Sequence, residues 1–156
     1  MYNNILVAID GSPTSDLALH EGINLASVGS KIIIVTVVES PLIGYYIDPV
    51  AVYDYTVIHD TLLQQSEDIL VKARQDIQHR SDIHVETHII DMHSNNDVAL
   101  AIYNAAKAYH ADLIVIGTHG RQGVKRFFLG SVAEQVIRQS QLPVLVIRNQ
   151  SGVLKT

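Results

Sequence analysis

The chain has 156 residues, a formal net charge of −5, 47% hydrophobic residues and no cysteine. That length suits one domain with an ordinary apolar core, and the missing cysteines exclude a disulfide framework, a thiolate metal site and a cysteine nucleophile. The acidic balance argues against a nucleic-acid partner, no apolar run approaches the length that crosses a bilayer, and the first residues enter a strand pattern without a leader signature, so a cytoplasmic location is expected.

Ile5-Leu6-Val7-Ala8-Ile9 predicts the first strand. It is apolar on both faces, as a parallel strand covered by helices reads. Asp10-Gly11-Ser12 ends it, and Ser12 as N-cap with Pro13 at the first helical position opens a helix. Along that helix Ala18, Gly22 and Ala26 make a small-residue stripe beside Leu19 and Ile23. Ile32 to Val38 predicts a second buried strand. From Glu39 to about Tyr55 the pattern is irregular and holds Pro41, Gly44, Pro49 and Tyr45, Tyr46, Tyr53 and Tyr55. A loop of that length is often functional. It reads either as a ligand lid or protein contact, or as a surface loop over the sheet edge.

A second helix follows from Ile58, Leu62, Ile69, Ala73 and Ile77. The third strand pattern, Ile83 to Ile90, alternates Ile83, Val85 and Ile89 with His84, Glu86 and His88, which suits an edge strand. The third helix begins near Asn96-Asp97 and carries Val98, Ile102, Ala105, Ala106 and Tyr109. Leu113-Ile114-Val115-Ile116 is the fourth strand, a helix follows from about Ser131, and Val144 to Ile147 is the fifth strand. Strands alternating with helices imply a doubly wound parallel α/β sheet with right-handed crossovers. The domain is expected over residues 1–149, with 150–156 a short polar tail.

The chemistry concentrates after strand four. Gly117-Thr118-His119-Gly120 leads through Arg121, Lys125 and Arg126 to Gly130-Ser131, with no Asp or Glu between Asp112 and Glu134. Glycines let backbone N–H groups approach an anion, and a helix N-terminus adds unpaired donors and a positive dipole end. A phosphate-bearing ligand is therefore expected. If strands one and four are neighbours where the strand order reverses, Asp10 faces the same crevice. Two readings of Asp10 stand: it holds a bridging Mg²⁺ beside phosphates, or it ends the strand and orients the turn before Ser12. The P-loop, G-x-G-x-x-G and G-x-S-x-G patterns are absent. Among eight histidines, His84 and His88 share a strand face with Glu86, which reads as a solvated edge or, less simply, a metal site. His119 is either a phosphate contact or a turn residue; His20, His59, His79, His93 and His110 read as surface positions.

Gly117-x2-Gly120-x9-Gly130-Ser131, with Asp10-x-Ser12 after strand one and Thr36-Val37-Val38 ending strand two, resembles the ATP-binding branch of the universal stress protein family. The resemblance runs from Ile5 to Arg148. It implies a five-stranded parallel sheet in the order 3-2-1-4-5 with helices on both faces. It implies adenine near the Val37 backbone, Ile9 and Asp10 by the ribose and phosphates, and Ser12 in the same turn. It implies ATP held by Ile116, Gly117, Gly120, Arg121, Gly130, Ser131 and Val132, beside which the Mg²⁺ reading of Asp10 would stand. Members commonly form homodimers through the last strand, here 144–148. Many also carry a glycine shortly after strand three; this chain has Asp91-Met92-His93-Ser94-Asn95-Asn96-Asp97 there, which puts any ribose contact from that segment in doubt.

The function so implied is a nucleotide-dependent regulatory module of the stress response, acting on protein partners the sequence does not name. The alternative is a slow ATP hydrolase or nucleotidyl-transfer enzyme on the same fold, whose S-G-G-x-D-S and H-x-G-H signatures are absent. A pure interaction module would have no need of the glycine motif.

Overall fold

The computed structural model describes residues 2–39, 49–92, 97–118 and 129–148. Nine elements alternate along them: β1 (Asn4–Ala8), α1 (Pro13–Leu25), β2 (Lys31–Glu39), α2 (Pro49–Ile77), β3 (His84–Met92), α3 (Val98–Ala108), β4 (Leu113–Gly117), α4 (Ser131–Gln139) and β5 (Val144–Ile147). The five strands form one sheet, all parallel, in the order β3-β2-β1-β4-β5. The doubly wound topology expected from the alternation is the one observed.

Strand parity builds two cores. Ile5, Val7 and Ile9 face α1 and α2 with Ile32, Ile34, Leu113 and Val115; there they meet Leu19, Ile23, Leu70, Ala73 and Ile77. Leu6 and Ala8 face the other way with Ile33, Val35, Ile114 and Ile116, against Ala99, Ile102 and Ala106 of α3 and Ala133 and Val136 of α4. The central strands are buried on both faces, which is why their sequences carry no alternation. β3 and β5 are the edges and are half-buried.

Close packing decides where α1 lies. A Cβ at Gly22 would come within 2.7 Å of Val7 Cγ2, so the small-residue stripe lets the helix settle directly on β1. At the far end of α1, Arg80 donates from Nη1 to the Ile23 carbonyl (3.1 Å) and from Nη2 to the Ala26 carbonyl (3.3 Å), while Nε reaches Asp82 (2.8 Å). That contact holds the Asp82 carboxyl below the usual carboxylate range.

Two expectations need correction. The stretch from Glu39 to Tyr55 is not irregular throughout: Glu39 belongs to β2, and Pro49 to Tyr55 belong to α2. Proline at a first helical position is pre-set for the helix and lacks only a donor the helix does not use there. Tyr45 and Tyr46 lie outside the described residues. The third strand also runs further than expected, through Asp91 and Met92. Ser94, Asn95 and Asn96 lie outside the described residues; α3 is capped by Asp97, whose side chain accepts from Leu100 N.

Candidate functional site

The order β3-β2-β1-β4-β5 reverses between β1 and β4, because β1 leads on to β2 and β4 leads away to β5. Ala8 of β1 lies in register with Ile116 of β4. The crevice outside the carboxyl ends of these two strands is where an open α/β sheet binds its ligand.

The β1 side is a closed hydrogen-bonded turn. Gly11 has φ +79°, a left-handed conformation that glycine takes without strain. Asp10 Oδ1 accepts from Ser12 N (3.0 Å), and Ser12 Oγ accepts from Ser15 N (3.2 Å) as the N-cap of α1. Ser15 Oγ donates to the Ser12 carbonyl (2.9 Å) and accepts from Asp10 N (3.3 Å). Ser12 and Thr14 hydroxyls lie 3.2 Å apart. Ser12, Thr14 and Ser15 are buried. Asp10 thus orients the turn, and its half-buried carboxylate still stands at the crevice edge.

The β4 side begins at Gly117, whose backbone lies against the first turn of α1. A Cβ there would meet the Thr14 carbonyl carbon at 2.9 Å, its oxygen at 3.0 Å and Ser15 N at 3.1 Å. Glycine is therefore demanded at this position by packing between β4 and α1, whatever else it does. Thr118 N donates to the Ile147 carbonyl (2.7 Å), and Gly130 N donates to the Thr118 carbonyl (2.7 Å), so the start of α4 is fastened to the end of β4. Gly130 is the N-cap of α4, and among the described residues no side chain caps this helix. Ser131 is exposed at the first turn, and Val132 packs against the core beneath.

Of the residues singled out in the sequence, Ile9, Asp10, Ser12, Ile116, Gly117, Gly130, Ser131 and Val132 gather at this edge. Ile9 and Ile116 are apolar floor, 5% and 7% exposed. Val37 stands in β2, the strand beside β1, two positions past Val35, which pairs with Ala8. Gly120 and Arg121, with His119, Lys125 and Arg126, lie outside the described residues. Thr14, Ser15 and Thr118 were missed: small hydroxyl residues leave no periodic signal, and only the run Ser12-Pro13-Thr14-Ser15 hints at a dense cap.

The His84, Glu86, His88 face is occupied structurally. Lys31 Nζ lies 2.8 Å from Glu86 Oε1 and holds that carboxyl below its ordinary value. His88 stacks on Tyr109 with ring centroids 4.3 Å apart. His59 is not a simple surface residue: its Nε2 lies 2.9 Å from Asp91 Oδ1, with the imidazole only 14% exposed. Nothing local in sequence links residues thirty-two apart. Among the described residues no helix is long and apolar enough to cross a membrane.

A parallel five-stranded α/β sheet, open at its carboxyl edge beside an uncapped helix, is the class of domain these features define. Residues 1–148 match the Universal stress protein family, and the chain belongs to that family. It is 32% identical to universal stress protein YxiE of Bacillus subtilis, over 95% of this chain and the whole of that one. Universal stress protein UspA from Lactobacillus plantarum superposes with a TM-score of 0.80 at 26% identity, covering 94% of this chain and 98% of that one. The universal stress protein from Archaeoglobus fulgidus in complex with dAMP superposes with a TM-score of 0.64 at 23% identity, covering 94% and 98%; at that identity the likeness is one of fold.

Proposed function

We propose that this protein binds ATP at the β1–β4 crevice and serves as a nucleotide-dependent regulatory module of the cytoplasmic stress response. The observation that carries the reading is the N-terminus of α4. It opens on a glycine, takes no side-chain cap and stands beside the strand-order reversal. First-turn N–H groups with a positive dipole end favour a phosphate there. A solved structure of the same fold that holds dAMP supports a nucleotide as the ligand class.

In this reading the Val37 backbone meets the adenine edge and Ile9 and Ile116 floor the sugar. Gly117, Gly120, Arg121, Gly130, Ser131 and Val132 hold the ribose and phosphate chain. Ser12 contributes by fixing the turn that presents Asp10. Mg²⁺ fits the donor set: it needs one or two carboxylates and takes its other ligands from phosphates and water, and Asp10 supplies one carboxylate. The ion would neutralise charge between Asp10 and the triphosphate. Bound nucleotide then favours one state toward a protein partner. ATP with Mg²⁺ at about 100 times its dissociation constant should stabilise the fold by roughly 2.7 kcal/mol, raising Tm by very roughly 5–10 °C. A thermal unfolding curve that ATP and Mg²⁺ leave unmoved at millimolar concentration refutes the reading.

The same module is a homodimer in this reading, paired through 144–148. β5 is an edge strand of valine, leucine and isoleucine, half-buried on both faces. Such an edge invites pairing, and antiparallel pairing about a two-fold axis closes it. Light scattering should report twice the monomer mass at micromolar concentration; a monomer mass removes the dimer and leaves the nucleotide site standing.

A further inference from the structure

α2 has 29 residues, about 43 Å of helix, while its partner strand β3 has 9, about 30 Å. The helix therefore extends past the strand. Its buried stripe is Ser66, Leu70, Ala73 and Ile77, at helical spacing. Before Ser66, none of the described α2 side chains, from Thr56 to Gln65, is buried. His59 continues that stripe two turns ahead of Ser66. There it makes its 2.9 Å link to Asp91. The carboxylate can only accept, so imidazole Nε2 donates.

The strand register shows what the link reaches. Asp91 pairs with Val38, and Ile90 pairs with Val37. The hydrogen bond thus fastens the leading half of α2 to the sheet one residue past the Val37 backbone. A leucine at position 59 would serve packing alone. A half-buried polar pair in line with Leu70, Ala73 and Ile77 costs desolvation, and its best-attested use is to fix one register among several.

We infer that His59 is a positioning residue: through Asp91 it sets the carboxyl ends of β2 and β3 against α2, and so fixes the Val37 backbone for adenine. The inference rests on the nucleotide reading above. It concerns the base half of the ligand and leaves the phosphate half, held by α4, untouched.

Isothermal titration of ATP with Mg²⁺, and of inorganic tripolyphosphate with Mg²⁺, against wild type, His59→Gln and His59→Leu tests it, with Tm recorded for each. Gln offers an amide N–H in place of Nε2. His59→Leu should bind ATP about tenfold more weakly, as when one hydrogen bond from a misplaced Val37 backbone to the base is lost. Its tripolyphosphate affinity should stay near wild type while its Tm falls by only a few degrees, the cost of the lost internal bond, and His59→Gln should recover ATP affinity to within about twofold. Asp91→Ala supplies the same test from the strand should His59→Leu not fold. A His59→Leu protein that binds ATP as tightly as wild type overturns the inference alone. Equal losses toward ATP and tripolyphosphate also overturn it, since a merely structural role would give that result. Wild type that binds no ATP overturns the nucleotide reading itself.

Discussion

Two helices begin within reach of the same crevice, and they treat their first turns in opposite ways. α1 spends its donors internally: Ser12 caps it, Ser15 braces the turn, and Asp10 accepts from Ser12 N. α4 opens on Gly130, and no side chain caps it. The first arrangement braces its own turn through Ser12, Ser15 and Asp10. Among the described residues, the second has no side chain on its first-turn donors. A dipole end satisfied from within has little to offer an anion, whereas one without a cap has most of its donors to give. In the proposed nucleotide reading the phosphates sit at α4, and α1 is the wall against which β4 stands.

The largest expected effect comes from the joint between the two halves. Gly117→Val forces a β-carbon into the Thr14 backbone and should destabilise the protein by about 3 kcal/mol, as overpacking does. At this length that lowers Tm by very roughly 6–12 °C in calorimetry; an unchanged Tm would mean that the contact between β4 and α1 is loose and that the wall is not one.

Gly130→Val separates ligand from fold. The Gly130 backbone sits at φ −61°, ψ 149°, which valine accepts. Without ATP its Tm should match wild type, while the roughly 2.7 kcal/mol of stabilisation by saturating ATP should vanish, since a branched side chain blocks the approach of backbone to phosphate. Retained stabilisation in thermal unfolding with ATP would move the phosphate away from α4.

Ser12→Ala is the smaller counterpart. Losing an N-cap costs about 1 kcal/mol, read in a urea midpoint, yet the ATP-induced shift should persist in size. If both disappear together, α1 is part of the binding surface and the contrast between the helices fails.

Much of this architecture was legible before any coordinates. β1, β2 and β4 read as buried because Ile and Val fill both parities, and β3 read as an edge because His84, Glu86 and His88 interrupt one parity. Ser12, Pro13 and Ser131 marked helix starts within a residue. What escaped depends on partners distant in sequence. Pro49 looked like loop punctuation among tyrosines, though it begins the longest helix. Gly117 looked like a phosphate glycine, and its packing against Thr14 needs two elements on the page at once. His59 read as a surface position because Asp91 sits on another element. The glycine spacing marked both ends of the crevice, Gly117 and Gly130; Gly120 and Arg121 between them lie outside the described residues, so their part in the site stands on the spacing.

Arg80 gives the molecule a direction. One guanidinium grips the last carbonyls of α1 and the carboxylate of Asp82, so the end of α1 and the turn that leads into β3 meet at a single fork opposite the crevice. A planar fork of that kind admits few geometries. The domain is clasped like a book at its spine, and the strand ends that line the crevice are its page edges.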